Sequence, residues 1–345
     1  MLLQRVIQNN EQEAKMPVVS LNTFLKQKSV DPFMAEFGKE TVKGETINGQ
    51  TFMGTLFKGI ILDNVTIKGT TFQGCEFVSN RWNNKVVIED CQFSGCEFTK
   101  NTLKTVEFIR CNFHGCDFED SKLEHVNMNR CQLTSTEFVG DSSWSGVLND
   151  TALLFCTWTD LKIDFQSLTD SRFSNMDCTD KAFPWAKSKA LWDDCKMGKV
   201  SWAKQSLSNC SFNKCEFEGL DISTANLNNI DFTESQFAAI NAEGFKGENL
   251  QMGKTKIESG NFKNMEISLS SIFWGANLKD CDFSNAKVGI AVFEKATLEA
   301  INFAKAEFMG CNLSDAHLKQ VSFKDAKVNN LNASDAVMDE VEGLS

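Results

Sequence analysis

The chain has no tyrosine, only three prolines and three histidines, and no long apolar run. Each shortage excludes something. Without about 18 consecutive apolar residues there is no membrane-spanning helix, and the opening stretch "MLLQRVIQNNEQEAK" turns polar after Ile7, too soon for a secretory signal. The expected location is the cytoplasm of a bacterial cell. Basic charge is short as well: 35 Lys and Arg stand against 46 Asp and Glu, a formal net charge of -11, which excludes general nucleic-acid binding because phosphates need a basic surface. His114, His125 and His317 belong to no motif with a nucleophile, and neither a P-loop nor a dinucleotide glycine pattern appears. No catalysis and no cofactor are expected.

What the chain has in excess is phenylalanine, 29 residues of it, as though one shape were reused at equivalent places. The reuse has a period of five. Phe93, Phe98, Leu103, Phe108, Phe113, Phe118, Leu123, Met128, Leu133 and Phe138 fall in one column, and a second long run starts at Leu278. Two positions earlier runs a column of compact side chains, such as Ala276, Cys281, Ala286 and Ala291. A helix repeats at 3.6 residues and a half-buried strand at 2, so a sustained 5 means that the chain turns a corner every five residues and coils about an axis. One large and one small residue per face point inward. Stacking the coils about 4.8 Å apart pairs their backbones and lays like side chains in ladders.

Units such as "CEFTK", "CNFHG", "CDFED", "ANLKD" and "CNLSD" make the chain resemble the pentapeptide-repeat family. That resemblance implies an all-β fold, a right-handed quadrilateral parallel β-helix with four pentapeptides to a coil of about twenty residues. It covers roughly residues 49–340, behind an N-terminal segment 1–48 and before an acidic tail 341–345. About fourteen coils would make a rod of about 70 Å.

The stretch "CNFHGCDFEDSKLEH" at 111–125 brings cysteine, histidine and carboxylates together and invites a metal site. The spacing decides against it. Twelve of the 13 cysteines, Cys111 and Cys116 among them, occupy the compact inward column, and Cys178 falls on the large one. Cysteine here behaves as a small buried apolar residue, with Cys91, Cys111 and Cys131 in one ladder and Cys96 and Cys116 in another. His114 and His125 should point outward, away from those thiols. Cytosolic redox conditions favour free thiols.

Register slips near 83–87, 184–191 and 273–277, and each slip predicts a bulge or loop; the nine-residue step from Phe183 to Trp192, which holds Pro184, reads as the largest excursion. Residues 139–180 keep register, with Ser143 on the inward column and Trp144 off it. Trp144, Trp185 and Trp274 sit off-column at or near these irregularities. They are candidate anchors for a partner, against the plainer reading that each tucks against its own loop. Carboxylates beside the central residues, Glu97, Asp117 and Asp282 among them, form outward rows that read as a solvated face. Asp31, Pro32 and Gly38 read as the cap, first residue and end of a short helix covering the first coil. Nothing comparable covers the last coil, which the acidic tail covers weakly unless another copy of the chain docks there.

The function expected from these features is a non-catalytic rigid scaffold for protein partners. The resemblance implies two settings for it. One is a secretion-associated adaptor or effector, delivered without a signal peptide. The other follows relatives that imitate duplex DNA and protect type II topoisomerases such as gyrase; duplex DNA would carry about 40 charges over this length, against the net -11 here.

Overall fold

The computed structural model describes residues 18–27, 33–181, 183 and 189–344. From Glu36 onward the chain is strand after strand, each paired in parallel with the strand one coil later. Four strands make a coil: Leu56–Lys58, Ile61–Asp63, Thr66–Lys68 and Thr71–Gln73 are followed by Glu76–Val78, which lies directly on the first of them. The result is an all-β, four-sided solenoid of about fifteen turns. We call its faces first to fourth in that order.

The middle residue of each short strand is buried and its neighbours face water, because alternate residues of a strand point to opposite sides. Twenty-residue spacing then stacks like on like. Phe77, Phe98, Phe118 and Phe138 follow one another on the first face at centroid separations of 4.6, 4.5 and 4.9 Å, their planes within 9° of parallel. Phe72, Phe93 and Phe113 do the same on the fourth. These separations lie at the short end of the favourable aromatic range. The compact column is partly polar where the second face begins. Buried Asn80, Asn101 and Ser121 donate to the Phe57, Phe77 and Phe98 carbonyls at 2.9, 2.7 and 2.8 Å, so each of these three corner carbonyls has a side-chain partner.

Corners differ between the two halves. In the N-terminal half a residue at positive φ turns each corner, as at Gly54, Gly59, Asn64 and Gly69, and its N–H bonds to the next coil. In the C-terminal half every second corner closes on itself: Ala286, Ala296 and Ala306 donate back to Phe283, Phe293 and Phe303 at 3.0 to 3.1 Å. Asp or Asn before the turn accepts a further N–H, as Asp282 does from Ser284 at 2.8 Å. Between closed turns the strands lengthen to six residues, such as Lys287–Val292.

The helical cap sits earlier than Asp31 and Pro32 suggest. Helix α1 is Leu21–Gln27, started by Ser20, whose Oγ accepts from Thr23 N at 3.1 Å. Glu40 of the first coil accepts from Ser20 Oγ at 3.0 Å and from Asn22 Nδ2 at 2.9 Å. Phe24 drops onto Phe37 and Phe52, 5.6 and 5.7 Å away. Asp31 and Pro32 lie outside the described residues; Phe33 and Met34 form an exposed turn, and Glu36–Phe37 is already a strand. Coil pairing is under way by Thr41–Lys43, which lies on Ile61–Asp63. In the last described coil Leu331, Val337 and Met338 are exposed.

Two register expectations need correction. Trp82 pairs with Leu103, one residue more than a coil, and Asn84 and Lys85 take up the excess, both at positive φ. Residues 139–180 do not keep register. Trp144, not Ser143, takes the inward place opposite Leu123, because the indole has far more apolar surface to bury. The extra residue is given back at a bulge between Gly146 and Val147. Gly146 is required there: a Cβ would stand 2.0 Å from the Val126 carbonyl oxygen. Phe173 pairs with Trp192, nineteen residues on; the excursion expected at 184–191 falls on Pro184, Trp185 and the residues through 188, which lie outside the described residues. Last, the slip placed near 273–277 falls between Ile267 and Ser270. Phe273 is buried in place of Ile272, and Leu269 is thrown out to solvent.

Candidate interaction face

On the first face, the residue before each central phenylalanine points outward. In four successive coils it is acidic: Glu76, Glu97, Asp117 and Glu137, borne on the strands Glu76–Val78, Glu97–Thr99, Asp117–Glu119 and Glu137–Val139, pair in register. The fold therefore sets four exposed carboxylates in a ladder with one coil rise, about 4.8 Å, between rungs. Among the described residues no lysine, arginine or histidine forms an ion pair with any of the four. Partial burial, and then the charges of Glu137 and Glu97, hold the Asp117 carboxyl above the usual aspartate range. Repulsion along the ladder thus adds to the cost of desolvation.

The corner beside this ladder is kept low. Gly74, Gly95 and Gly115 turn it at positive φ with nothing in the space a Cβ would fill. Two coils beyond Gly115 the same corner is Phe155, at φ 54° and 57% exposed. A bulky residue in the left-handed region costs about 1 kcal/mol or more, and an exposed ring recovers none of that from the core. An open acidic column with an apolar knob at its end can hold a basic surface that carries an apolar contact of its own.

Behind the ladder the alternate residues Cys75, Cys96 and Cys116 face the core, and all 13 cysteines are buried and free. Cys116 donates to the Phe93 carbonyl at 3.5 Å and Cys96 to Phe72 at 3.4 Å. Burial pushes Cys156 up to about 11 and Cys281 and Cys311 up to about 12, which keeps them protonated and poor nucleophiles. His114 and His125 are on the outside, so the imidazoles and thiols of 111–125 lie on opposite sides of the wall.

The three tryptophans separate. Trp144 is fully buried and donates Nε1–H to the Val126 carbonyl at 3.2 Å, so it is no surface anchor. Trp185 lies outside the described residues. Trp274 is 38% exposed on the closed turn from Phe273 to Ala276, with Lys254 Nζ 5.4 Å from its ring centre. Of the carboxylates read from sequence, Glu97 and Asp117 share the ladder. Asp282 instead accepts from Ser284 and pairs with Lys263 at 3.3 Å, a turn-building role. Sequence reasoning missed Glu76, Glu137 and Phe155. Counting acids at one-coil spacing, with the extra residue near 84 allowed for, would have found the first two.

Eight copies of the pentapeptide-repeats family model match residues 111–140 and 291–325. No curated protein matches the chain. Among solved structures it is similar to trypsin-treated QnrB1, described as a plasmid-mediated fluoroquinolone resistance protein, at 16% identity over 51% of this chain and 90% of that one, TM-score 0.35. It is also similar to HetL, a pentapeptide repeat protein involved in heterocyst differentiation regulation in the cyanobacterium Nostoc sp. PCC 7120, at 12% identity over 74% of this chain and 88% of that one, TM-score 0.20.

Proposed function

We propose that this chain, which carries pentapeptide repeats, is a non-catalytic rigid scaffold whose first face binds a protein partner with a basic surface. The unrelieved ladder of Glu76, Glu97, Asp117 and Glu137 carries the reading. A parallel stack held by continuous coil-to-coil bonding keeps the carboxylates at fixed spacing, so a partner spends little on ordering them. A partner lysine or arginine row relieves the repulsion and is itself neutralised. The test is association of the triple variant E97Q/D117N/E137Q with partners captured from bacterial lysate by the unaltered chain. Partners should be lost from the variant and released as salt rises, and retention by the variant would refute the reading. If a secretion component is among them, the adaptor setting follows.

A second reading has an observation in its favour. One carboxylate per about 4.8 Å approaches the one charge per 3.4 Å of a single DNA strand, far closer than the net charge of -11 suggests. On that reading the face competes with duplex DNA for a type II topoisomerase. Purified gyrase should then lose DNA binding in the presence of the chain and keep it in the presence of the triple variant.

A further inference from the structure

On the third face of the C-terminal half a different column forms. Lys246, Glu266, Lys287, Glu307 and Lys327 pair in register, coil on coil, with alternating charge. Lys246 reaches Glu266 at 2.9 Å and Lys327 reaches Glu307 at 2.9 Å, all four side chains well exposed. Toward the adjoining corner the same coils carry three apolar side chains: Leu269, Ile290 and Met309 are 53%, 54% and 69% exposed, Ile290 in register with Gly310 and Met309 one residue before it. The bulge between Ile267 and Ser270 puts Leu269 there. Gly247 and Gly289 leave bare backbone beside it, where a Cβ would stand 2.0 Å from the Leu227 carbonyl oxygen and 2.4 Å from that of Leu269. A groove of about 660 Å³ runs along the third face between the charged column and Glu248, Ser268, Gly289 and Met309.

We propose that this face binds a second copy of the chain, with the two rods side by side and antiparallel. The argument is charge complementarity under a two-fold axis. Place the axis in the interface, across the rods, midway between the rungs of Glu266 and Lys287. Lys246 of one copy then faces Glu307 of the other, and Glu266 faces Lys287, at all four inner rungs. The same operation brings the apolar side chains together, Leu269 against Ile290. An alternating column is its own complement when reversed; the acidic ladder of the first face is not, and would meet itself in repulsion. The exposed ion pairs stabilise a lone chain little, whereas three large apolar side chains left in water at one corner gain by being covered.

Sedimentation equilibrium of the full chain over about 1 to 100 μM tests this. The expected species is a dimer of twice the 38.6 kDa chain mass, weakening as salt rises. Ile290→Glu changes an exposed side chain, so it should leave the circular dichroism and melting temperature in place and shift the dissociation constant by at least tenfold. A charge-swapped pair sharpens the result: K246E/K287E and E266K/E307K should each be monomeric alone and form a mixed dimer when combined. A chain that stays monomeric throughout, or a dimer that Ile290→Glu leaves intact, as docking through the last coil would, overturns the proposal.

Discussion

Two charged columns of this molecule, one in each half, answer the same electrostatic problem in opposite ways. A coil of twenty residues places every side chain over its own equivalent, so a charged residue repeated in one column meets its like at about 4.8 Å, a repulsion of about 1 kcal/mol per pair in water. In the C-terminal half the sequence alternates sign, from Lys246 to Lys327, and the column ties coils together. On the first face of the N-terminal half it repeats sign, from Glu76 to Glu137, and the column pushes them apart. The fold tolerates both because the backbone ladder and the aromatic columns hold the coils. Surface charge is thus free to serve binding where stacking alone would have chosen alternation.

The largest effect comes from removing what the halves share. Phe113→Asp puts an unpaired charge in a stack 4.6 Å from Phe93, and Phe293→Asp does so 5.0 Å from Phe273. Each should cost about 5 kcal/mol and unfold its own coils in urea, with the other half keeping its hydrogen-exchange protection. Equal melting temperatures for mutant and parent would show that the columns do not carry the fold. Next in size, Gly146→Val drives a Cβ into the Val126 carbonyl and should cost about 3 kcal/mol by chemical denaturation, with damage confined to the N-terminal half.

Smaller changes address the charge columns directly. Glu97→Lys sets a cation between Glu76 and Asp117 and should raise the melting temperature by about one degree, while Lys287→Glu sets three acids in succession, Glu266 to Glu307, and should lower it by a similar amount. The same sign for both would erase the contrast. The subtlest test is pH. Asp117 has a raised carboxyl, so its charged form costs stability at neutral pH, and that cost disappears as pH falls through its folded value. Glu266 and Glu307 are lowered by Lys246 and Lys327, so their contribution is present above the ordinary glutamate range and lost as pH falls below it. Hydrogen exchange between neutral pH and about pH 4 should therefore tighten around 112–122 relative to the 262–270 and 303–310 coils.

The period of five made the solenoid legible, since Phe93 through Phe138 admits no other regular placement, and it assigned the cysteines to the wall's inner side. What escaped was local competition. Ser143 and Trp144 both satisfy the count within one residue, and only the apolar surface of the indole decides between them. Likewise Ile272 yields to Phe273 because the bulge falls five residues earlier than spacing indicates. Asp31 and Pro32 spell a stronger helix start than Ser20, yet Leu21 and Phe24 are the residues that can reach the exposed end of the first coil. The acidic ladder was hidden by its own bookkeeping. Glu76 and Glu97 are 21 apart, not 20, because of the extra residue near Asn84.

Each coil touches only the coil above and the coil below, so the rod has no centre. Pulled from its two ends, it would give way by peeling, one turn after another, each release freeing some twenty residues of slack while the remainder stays intact. A tether built this way yields gradually under load and winds back from whatever turns survive.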